Sequence, residues 1–319
     1  MKRLSLILLV GIALVLPLSL LAGRVWIAPW ADPVPNATTI LMELRLPRGV
    51  LALIIGAGLG GAGAAMQGYL RNPLADPGLF GIAPGAAFGA VMALFLGLAS
   101  VPFVLPGFAL VGAGGAMALL ALIAGRTGGI ALFTLAGLMI ASLAGTLTSL
   151  AISLSPNPFA TSEIVTWLMG ALTDRSWADV WIAAPLTFAG LAVLWRTGAS
   201  LDALTLGEAA ALSLGVEAKR LQWWIVIGIG LVIGAGVAVA GIIGFVGLMV
   251  PHLVRPFTDR RPSTLIVPSA LAGALLVLLA DTLCRVLPMA SELRLGIALS
   301  LLGAPFFLAL LLRLRRELA

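Results

Sequence analysis

The chain has 319 residues, of which 61% are apolar and only 10% charged, with a mean hydropathy of +1.14 and a net charge of +6. Soluble domains carry about 25% charged residues, so this composition cannot cover a water-exposed globule. Lipid removes that demand and requires only that backbone groups bond internally. Alternating strand patterns are almost absent, which points to helices instead of a barrel. The basic residues lie between apolar runs and form no basic face, which excludes a nucleic-acid platform. One cysteine (Cys284) and one histidine (His252) rule out an intrachain disulfide, a cysteine zinc cluster and a histidine-built centre. The 38 glycines suit a membrane bundle, where small residues let helices approach closely.

A spanning helix takes about 20 apolar residues. The first such run, 4–22, follows Lys2-Arg3 and ends in Ala22-Gly23. That pattern also fits a signal peptide, but in a polytopic chain it reads as a retained helix. Further runs occupy 49–69, 79–98, 104–124, 130–153, 177–195, 221–241, 244–256, 264–287 and 295–312. This gives ten spans, or nine if the short eighth run joins the seventh across Gly241–Gly247. Loops are short, so the chain is one transmembrane domain, 1–319.

Gly56-Ala-Gly58-Leu-Gly60-Gly61 matches G-x-G-x-x-G, but inside an apolar span it reads as helix packing and not as a dinucleotide site. Arg71-Asn72-Pro73-Leu74-Ala75-Asp76-Pro77 is a polar break whose two prolines impose a turn, either a rigid loop or a constriction at the mouth of a path. Residues 201–214 are too polar for a span. They predict a short surface helix interrupted at Gly207 and ending at Gly215, as a connector or an interaction element. Pro251-His252 closes the eighth run and reads as structural. Asp281 is the one acid well inside a span and is expected to pair with Arg285 along the helix. Such scarcity of buried acids leaves an ion-coupled transporter without obvious machinery, though it remains the rival reading. A Walker A loop needs a lysine after its glycines, and the only lysines are Lys2 and Lys219, so the chain is not an ATPase.

With ten spans and both termini cytoplasmic, the inner side holds Lys2, Arg3, Arg71, Arg126, Arg196, Lys219, Arg220, Arg255, Arg260, Arg261, Arg313, Arg315 and Arg316. The outer side holds Arg24, Arg45, Arg48, Arg175, Arg285 and Arg294. The excess inside fits the positive-inside rule.

Ordered markers run through almost the whole chain: Arg45-Leu-Pro-Arg48, Gln67, Arg71 to Pro77, Gly81 to Ala86, Leu135-Ala-Gly137, Trp167-Leu-Met-Gly170, Leu206-Gly-Glu208, Leu214-Gly-Val216, Gly244-Phe-Val-Gly-Leu248, Pro251-His252, Asp281, Arg285, Glu292 and Gly303-Ala-Pro-Phe306. On these the sequence resembles the FecCD family, the permease subunits of type II ABC importers for iron–siderophore complexes, haem and vitamin B12. The resemblance implies an all-α polytopic fold of about ten transmembrane helices in the bacterial inner membrane. It implies a permease pair, here a homodimer, two ABC ATPase subunits and a periplasmic substrate-binding protein as partners. The chain itself would carry no cofactor, ATP and Mg being bound by the ATPases, and no nucleic acid would bind. The expected substrate is an iron–siderophore or similar iron chelate, with haem or vitamin B12 as the alternative.

By motif, Leu206, Gly207, Glu208, Leu214 and Gly215 match the family's cytoplasmic coupling segment, here about 201–216. Arg45, Arg48 and Arg285 match outward arginines that dock the binding protein, with lipid-phosphate anchoring as the simpler reading of the residues alone. Asn72 and Leu74 match a cytoplasmic gate beside the start of the fifth span around Ile130. Two departures stand out: Arg294 occupies the position of a usual proline after Glu292, and the segment after Arg255 lacks the usual glycine.

Overall fold

The computed structural model describes residues 2–27, 35–124, 129–289 and 291–318; Arg126 and the side chains of Lys2 and Arg316, expected on the inner side, lie outside the description. Among the described residues the chain is helical with no strand. The helices are α1 (Lys2–Leu21), α2 (Ala37–Thr39), α3 (Leu46–Leu70), α4 (Ile82–Phe95), α5 (Val104–Ala124), α6 (Ile130–Ser153) and α7 (Pro158–Leu168). They continue with α8 (Trp177–Arg196), α9 (Gly198–Leu204), α10 (Glu208–Ser213), α11 (Ala218–Ala240), α12 (Val246–Val254), α13 (Pro262–Val286) and α14 (Leu295–Leu318).

Eight stretches among the described residues are long and apolar enough to cross a membrane. The other two predicted spans are shorter than the sequence suggests. The run 79–98 holds α4, of 14 residues, and the run 244–256 holds α12, of nine. At 1.5 Å per residue α12 is about 14 Å long, half of a hydrocarbon core of about 30 Å. The chain between α11 and α12 is unwound, and Phe245 adopts a left-handed φ of 67°. This break is braced from outside: Ala171 N–H donates to the Ala240 carbonyl at 2.8 Å, and Gly296 N–H to that of Gly170 at 3.1 Å.

The helix α7, followed by Asp174-Arg175, was not foreseen. Its signal was local: Asn157 accepts from Ala160 N–H at 2.9 Å and Pro158 occupies the first turn. At 11 residues it falls below the length that marks a span.

The second predicted span begins earlier than position 49. α2, a π-helical stretch (Ile40–Arg45) and α3 form one continuous rod of 34 residues. The wide turn leaves its mark on the backbone, since Leu46 N–H donates to the Leu41 carbonyl. Pro47 has no N–H to continue that pattern onto Met42. The Trp177 indole N–H fills the place, donating to the Met42 carbonyl at 3.0 Å.

α3 is the central helix, with 83% of its most apolar window buried. Its glycines are packing devices, as the sequence suggested. A methyl group on Gly56 or Gly60 would overlap the backbone of α13 at Gly273 or Ser269, and one on Gly63 would overlap α12 at Gly247. α5 approaches α4 in the same way, through Gly85 and Gly112. We therefore expect Gly60→Leu to cost more than the ~1–3 kcal/mol typical of an overpacked core, read as a large fall in the detergent-solubilised melting temperature. Gly114, with open space around its Cα, should accept alanine with no loss; equal melting points for the two variants would refute this packing account.

Candidate functional site: an apolar cavity between a buried charge cluster and an exposed short-helix segment

The predicted basic residues separate to opposite ends of the bundle. At the end expected to face outward, Arg48 lies in α3 and Asp281 and Arg285 lie in the last turns of α13. Arg48 grips Asp281 with two nitrogens, Nε at 3.0 Å from both carboxylate oxygens and Nη2 at 2.9 Å from Oδ1. Its third nitrogen, Nη1, reaches Glu292 at 2.9 Å. Arg285 Nε lies 3.2 Å from Asp281 Oδ2, and its Nη2 donates to Ser19 Oγ of α1 at 2.6 Å. The expected Asp281–Arg285 pair is present, and Asp281 bridges it to a second arginine. Two positive and two negative groups thus neutralise one another where water is scarce. Asp281 is fully buried and the Arg48 side chain is 11% exposed. Unpaired, any of them would be costly at that depth. Glu292 also accepts from Thr173 at 3.3 Å, tying the cluster to the loop before α8.

Arg45 plays a different part. Its Nη1 donates to the Leu20 and Leu21 carbonyls at 2.8 and 3.0 Å, and its Nη2 to Val25 at 2.6 Å. It caps the C-terminus of α1, where a cation opposes the negative end of the helix dipole. Gly23 lets it in, because a Cβ there would meet the guanidinium at 2.8 Å. All three arginines assigned to docking are thus engaged within this chain, and two are buried.

In the middle, an apolar cavity of ≈ 480 Å³ is lined by residues including Ile55, Leu74, Asp76, Ile233, Phe245 and Leu248. It lies against the unwound Gly241–Phe245 segment. Its floor is the Arg71–Pro77 break, which is a built turn. Arg71 at φ 49° closes α3, with Asn72 N–H donating to the Gln67 carbonyl at 3.2 Å. The Asn72 side chain accepts from Leu74 N–H at 2.9 Å, and Asp76 accepts from Gly78 N–H at 2.7 Å. Burial pushes the Asp76 carboxyl above the usual range, partly offset by the backbone N–H groups of Gly78 and Leu248.

Of the three residues expected at a gate, Leu74 lines this cavity. Asn72 lies over a separate hollow with Gln67, Arg71 and Arg255. Ile130 opens α6 and is not among the lining residues of either; that end of α6 is held by Phe133, stacked on Phe80 at 5.6 Å and edge-on to Tyr69 at 5.3 Å. Gln67 was a sequence marker without a role. It donates to the Gly247 and Leu248 carbonyls at 3.3 Å and accepts from Arg255 at 2.8 Å, fixing the start of α12 against α3.

The stretch 201–216, expected from the resemblance to act in coupling, is built of α9 and α10, with the expected break at Gly207. Gly207 has φ 101° and Gly215 φ 84°, values that a side chain would strain. At the second, Gly215 N–H bonds Leu212 and Val216 N–H bonds Ala211, a Schellman closure. Leu206, Leu212 and Leu214 are 67%, 67% and 64% exposed, forming an apolar surface at the polar end of the bundle. Glu208 meets Arg71 at 3.4 Å, an exposed pair of little energetic weight. The firmer tie is Asp202, which the sequence did not single out. Its carboxylate accepts from Ser263 N–H at 2.9 Å and Ser263 Oγ at 2.6 Å, fastening α9 to the first turn of α13.

Removing the Asp281 charge leaves two buried guanidinia short of a counter-ion. Asp281→Asn should therefore destabilise the fold by about 3–5 kcal/mol, measured as a fall in the thermal midpoint. Glu292→Gln, at a partly exposed site, should cost clearly less; the reverse order would show that Asp281 is not the hub.

Comparison with known proteins agrees with this architecture. The FecCD transport family matches residues 5–313. The chain is 38% identical over 277 residues to the Fe(3+) dicitrate transport system permease protein FecD of Escherichia coli K12, covering 86% of each chain. It is 36% identical over 320 residues to the vitamin B12 import system permease protein BtuC of Vibrio vulnificus CMCP6, covering 98% of this chain and 95% of that one. A solved inward-facing structure of a metal-chelate type ABC transporter superposes with a TM-score of 0.91 at 29% identity, over 98% of this chain and 100% of that one. The chain belongs to the FecCD transport family and is an ABC importer permease.

Proposed function

We propose that this permease carries an iron–siderophore or similar iron chelate across the bacterial inner membrane, with both termini cytoplasmic. A periplasmic binding protein delivers the substrate at the Arg48–Asp281 end, and two ABC ATPase subunits act at the α9–α10 end on a homodimer of the chain. The observation that carries this reading is the apolar cavity of ≈ 480 Å³ between a built turn and an unwound helix break. Its size falls within the range of about 300–1,000 Å³ that holds organic ligands. Its walls offer few polar anchors, which suits a bulky cargo held weakly and released. A corrinoid is the second reading, supported by the likeness to BtuC over 98% of the chain.

The permease performs no covalent chemistry. It stabilises inward- and outward-open states differently, and the ATPases, which bind ATP and Mg, shift the balance. The exposed Leu206, Leu212 and Leu214 suit a groove on an ATPase. Asp202 hands motion of α9 to α13, and the close α3–α13 contact makes that pair one strut reaching the outer cluster. At that cluster Arg48 and Arg285 already hold carboxylates and Arg45 holds backbone carbonyls, so docking by Arg45, Arg48 and Arg285 would be an exchange of partners, in which a binding-protein carboxylate takes the place of Glu292 at Arg48.

The test is uptake by proteoliposomes holding the permease with its ATPase and binding protein, offered a ferric siderophore or a cobalamin. We expect ATP-dependent accumulation of the ferric siderophore. Gly207→Val should keep ATP hydrolysis but lose most of the uptake. Accumulation driven by an ion gradient without ATPase would overturn the importer reading, and accumulation of cobalamin alone would favour the second substrate.

A further inference from the structure

A second cleft lies away from the path, between the inner ends of α8 and α11. It measures ≈ 430 Å³, and its lining includes Arg196, Thr197, Ser200, Glu217, Arg220 and Trp224. A shallower hollow of ≈ 370 Å³ shares Glu217, Arg220 and Trp224 and adds Lys219 and Trp223. Among the described residues, neither Arg196 nor Arg220 has an ion-pair or hydrogen-bond partner. The two clefts together present three cations to one carboxylate. Positive charge left uncompensated in a concave site asks for an anion.

Its depth indicates which anion. Trp177 begins α8 and Trp195 precedes its last residue. Eighteen residues of helix separate them by about 27 Å, close to the thickness of the hydrocarbon core. Tryptophan concentrates at the two membrane interfaces. Trp223 and Trp224, which line these hollows, are 44% and 43% exposed, and Trp195, next to Arg196 on α8, is 61% exposed, which puts the cleft at one of those levels. The cleft therefore opens where phospholipid headgroups lie, on the leaflet shared with α9 and α10. Its inner wall is apolar, with Val193 and the buried Leu221, so an acyl chain could leave along it while the phosphate stays with the arginines.

We infer that this cleft binds the headgroup of an anionic phospholipid, with Arg196 and Arg220 as phosphate ligands, Lys219 at the rim and the tryptophans at the glycerol level. The site borders Gly215 and Val216, which end the coupling segment, so the bound lipid would buttress that segment from the membrane side. The inference requires only that the chain spans a membrane and is independent of the substrate proposed above.

The test is native mass spectrometry of the full-length permease released from nanodiscs of phosphatidylcholine, with or without phosphatidylglycerol. We expect one or two tightly retained phosphatidylglycerol adducts per chain and no comparable phosphatidylcholine adduct. Each basic residue contributes about 1 kcal/mol to binding an anionic surface, so Arg196→Ala with Arg220→Ala should lower retention roughly tenfold or more. Arg196→Lys with Arg220→Lys should keep most of it, which separates lost charge from lost fold, as should an unchanged melting temperature in phosphatidylcholine alone. Equal retention of the two lipids, or of phosphatidylglycerol by wild type and the alanine variant, would overturn the assignment. Displacement of the adduct by millimolar inorganic phosphate would instead assign the cleft to the free ion and reject the lipid.

Discussion

The approach of α3 to α13 at Gly56, Gly60 and Gly273 is the contact on which the remaining structure depends. In lipid there is little hydrophobic gain from bringing helices together, so association rests on dispersion and polar contacts, both short-ranged. Glycine at these positions lets two backbones touch. Once they touch, the ends of both helices are placed: Arg48 beside Asp281 at one end, and the Arg71 turn beside α9 and α10 at the other. Gly63 applies the same device to α12, and Gln67 then holds that half-length helix by its carbonyls.

The buried charge cluster is the counterpart of that apolar contact. A quartet of Arg48, Asp281, Arg285 and Glu292 gains little over an apolar core of equal volume, because desolvation consumes most of the Coulomb energy. What it supplies is geometry, for a bidentate guanidinium–carboxylate pair tolerates few relative positions of its two helices. Ser19 and Thr173 extend the constraint to α1 and to the loop before α8. The least buried member is Glu292, and it lies in the loop that leads to α14. That asymmetry, a fixed Asp281 and a partly exposed Glu292, is what a surface able to exchange one partner while keeping its frame would need.

Much of this was legible in the sequence because it is local. Span composition, the double-proline turn at Arg71–Pro77, the glycine breaks at 207 and 215, and the Asp281–Arg285 pair at one helical turn all depend on neighbours within a few residues. Pairs distant in sequence were not legible. Asp281 and Arg48 are 233 positions apart and Ser263 and Asp202 are 61 apart, and no periodicity joins them. The rod starting at Ala37 escaped notice because Asn36 precedes it, because its first turns include two threonines and Glu43, and because the Met42 carbonyl of its π-helical turn is bonded by the distant Trp177. Length misled at the two short spans: apolar residues in the break before α12 were counted into a helix that the glycines interrupt. Resemblance to the family supplied roles for residues such as Leu206, and the geometry then showed the physical features that suit such a role, an exposed apolar side chain on a segment tied to α13.

The central claim is that α3 and α13 act as one strut between the α9–α10 segment and the Arg48–Asp281 cluster. It can be examined by pulsed electron paramagnetic resonance on the permease with its ATPase partners. Labels would be placed at Leu44, in the π-helical turn that runs into α3, and at Leu283 of α13, which are 57% and 58% exposed, in a Cys284→Ala background that removes the only native thiol. The account predicts one distance, unchanged between the nucleotide-free and ATP-bound states. A nucleotide-dependent shift of several ångströms between these labels would contradict it.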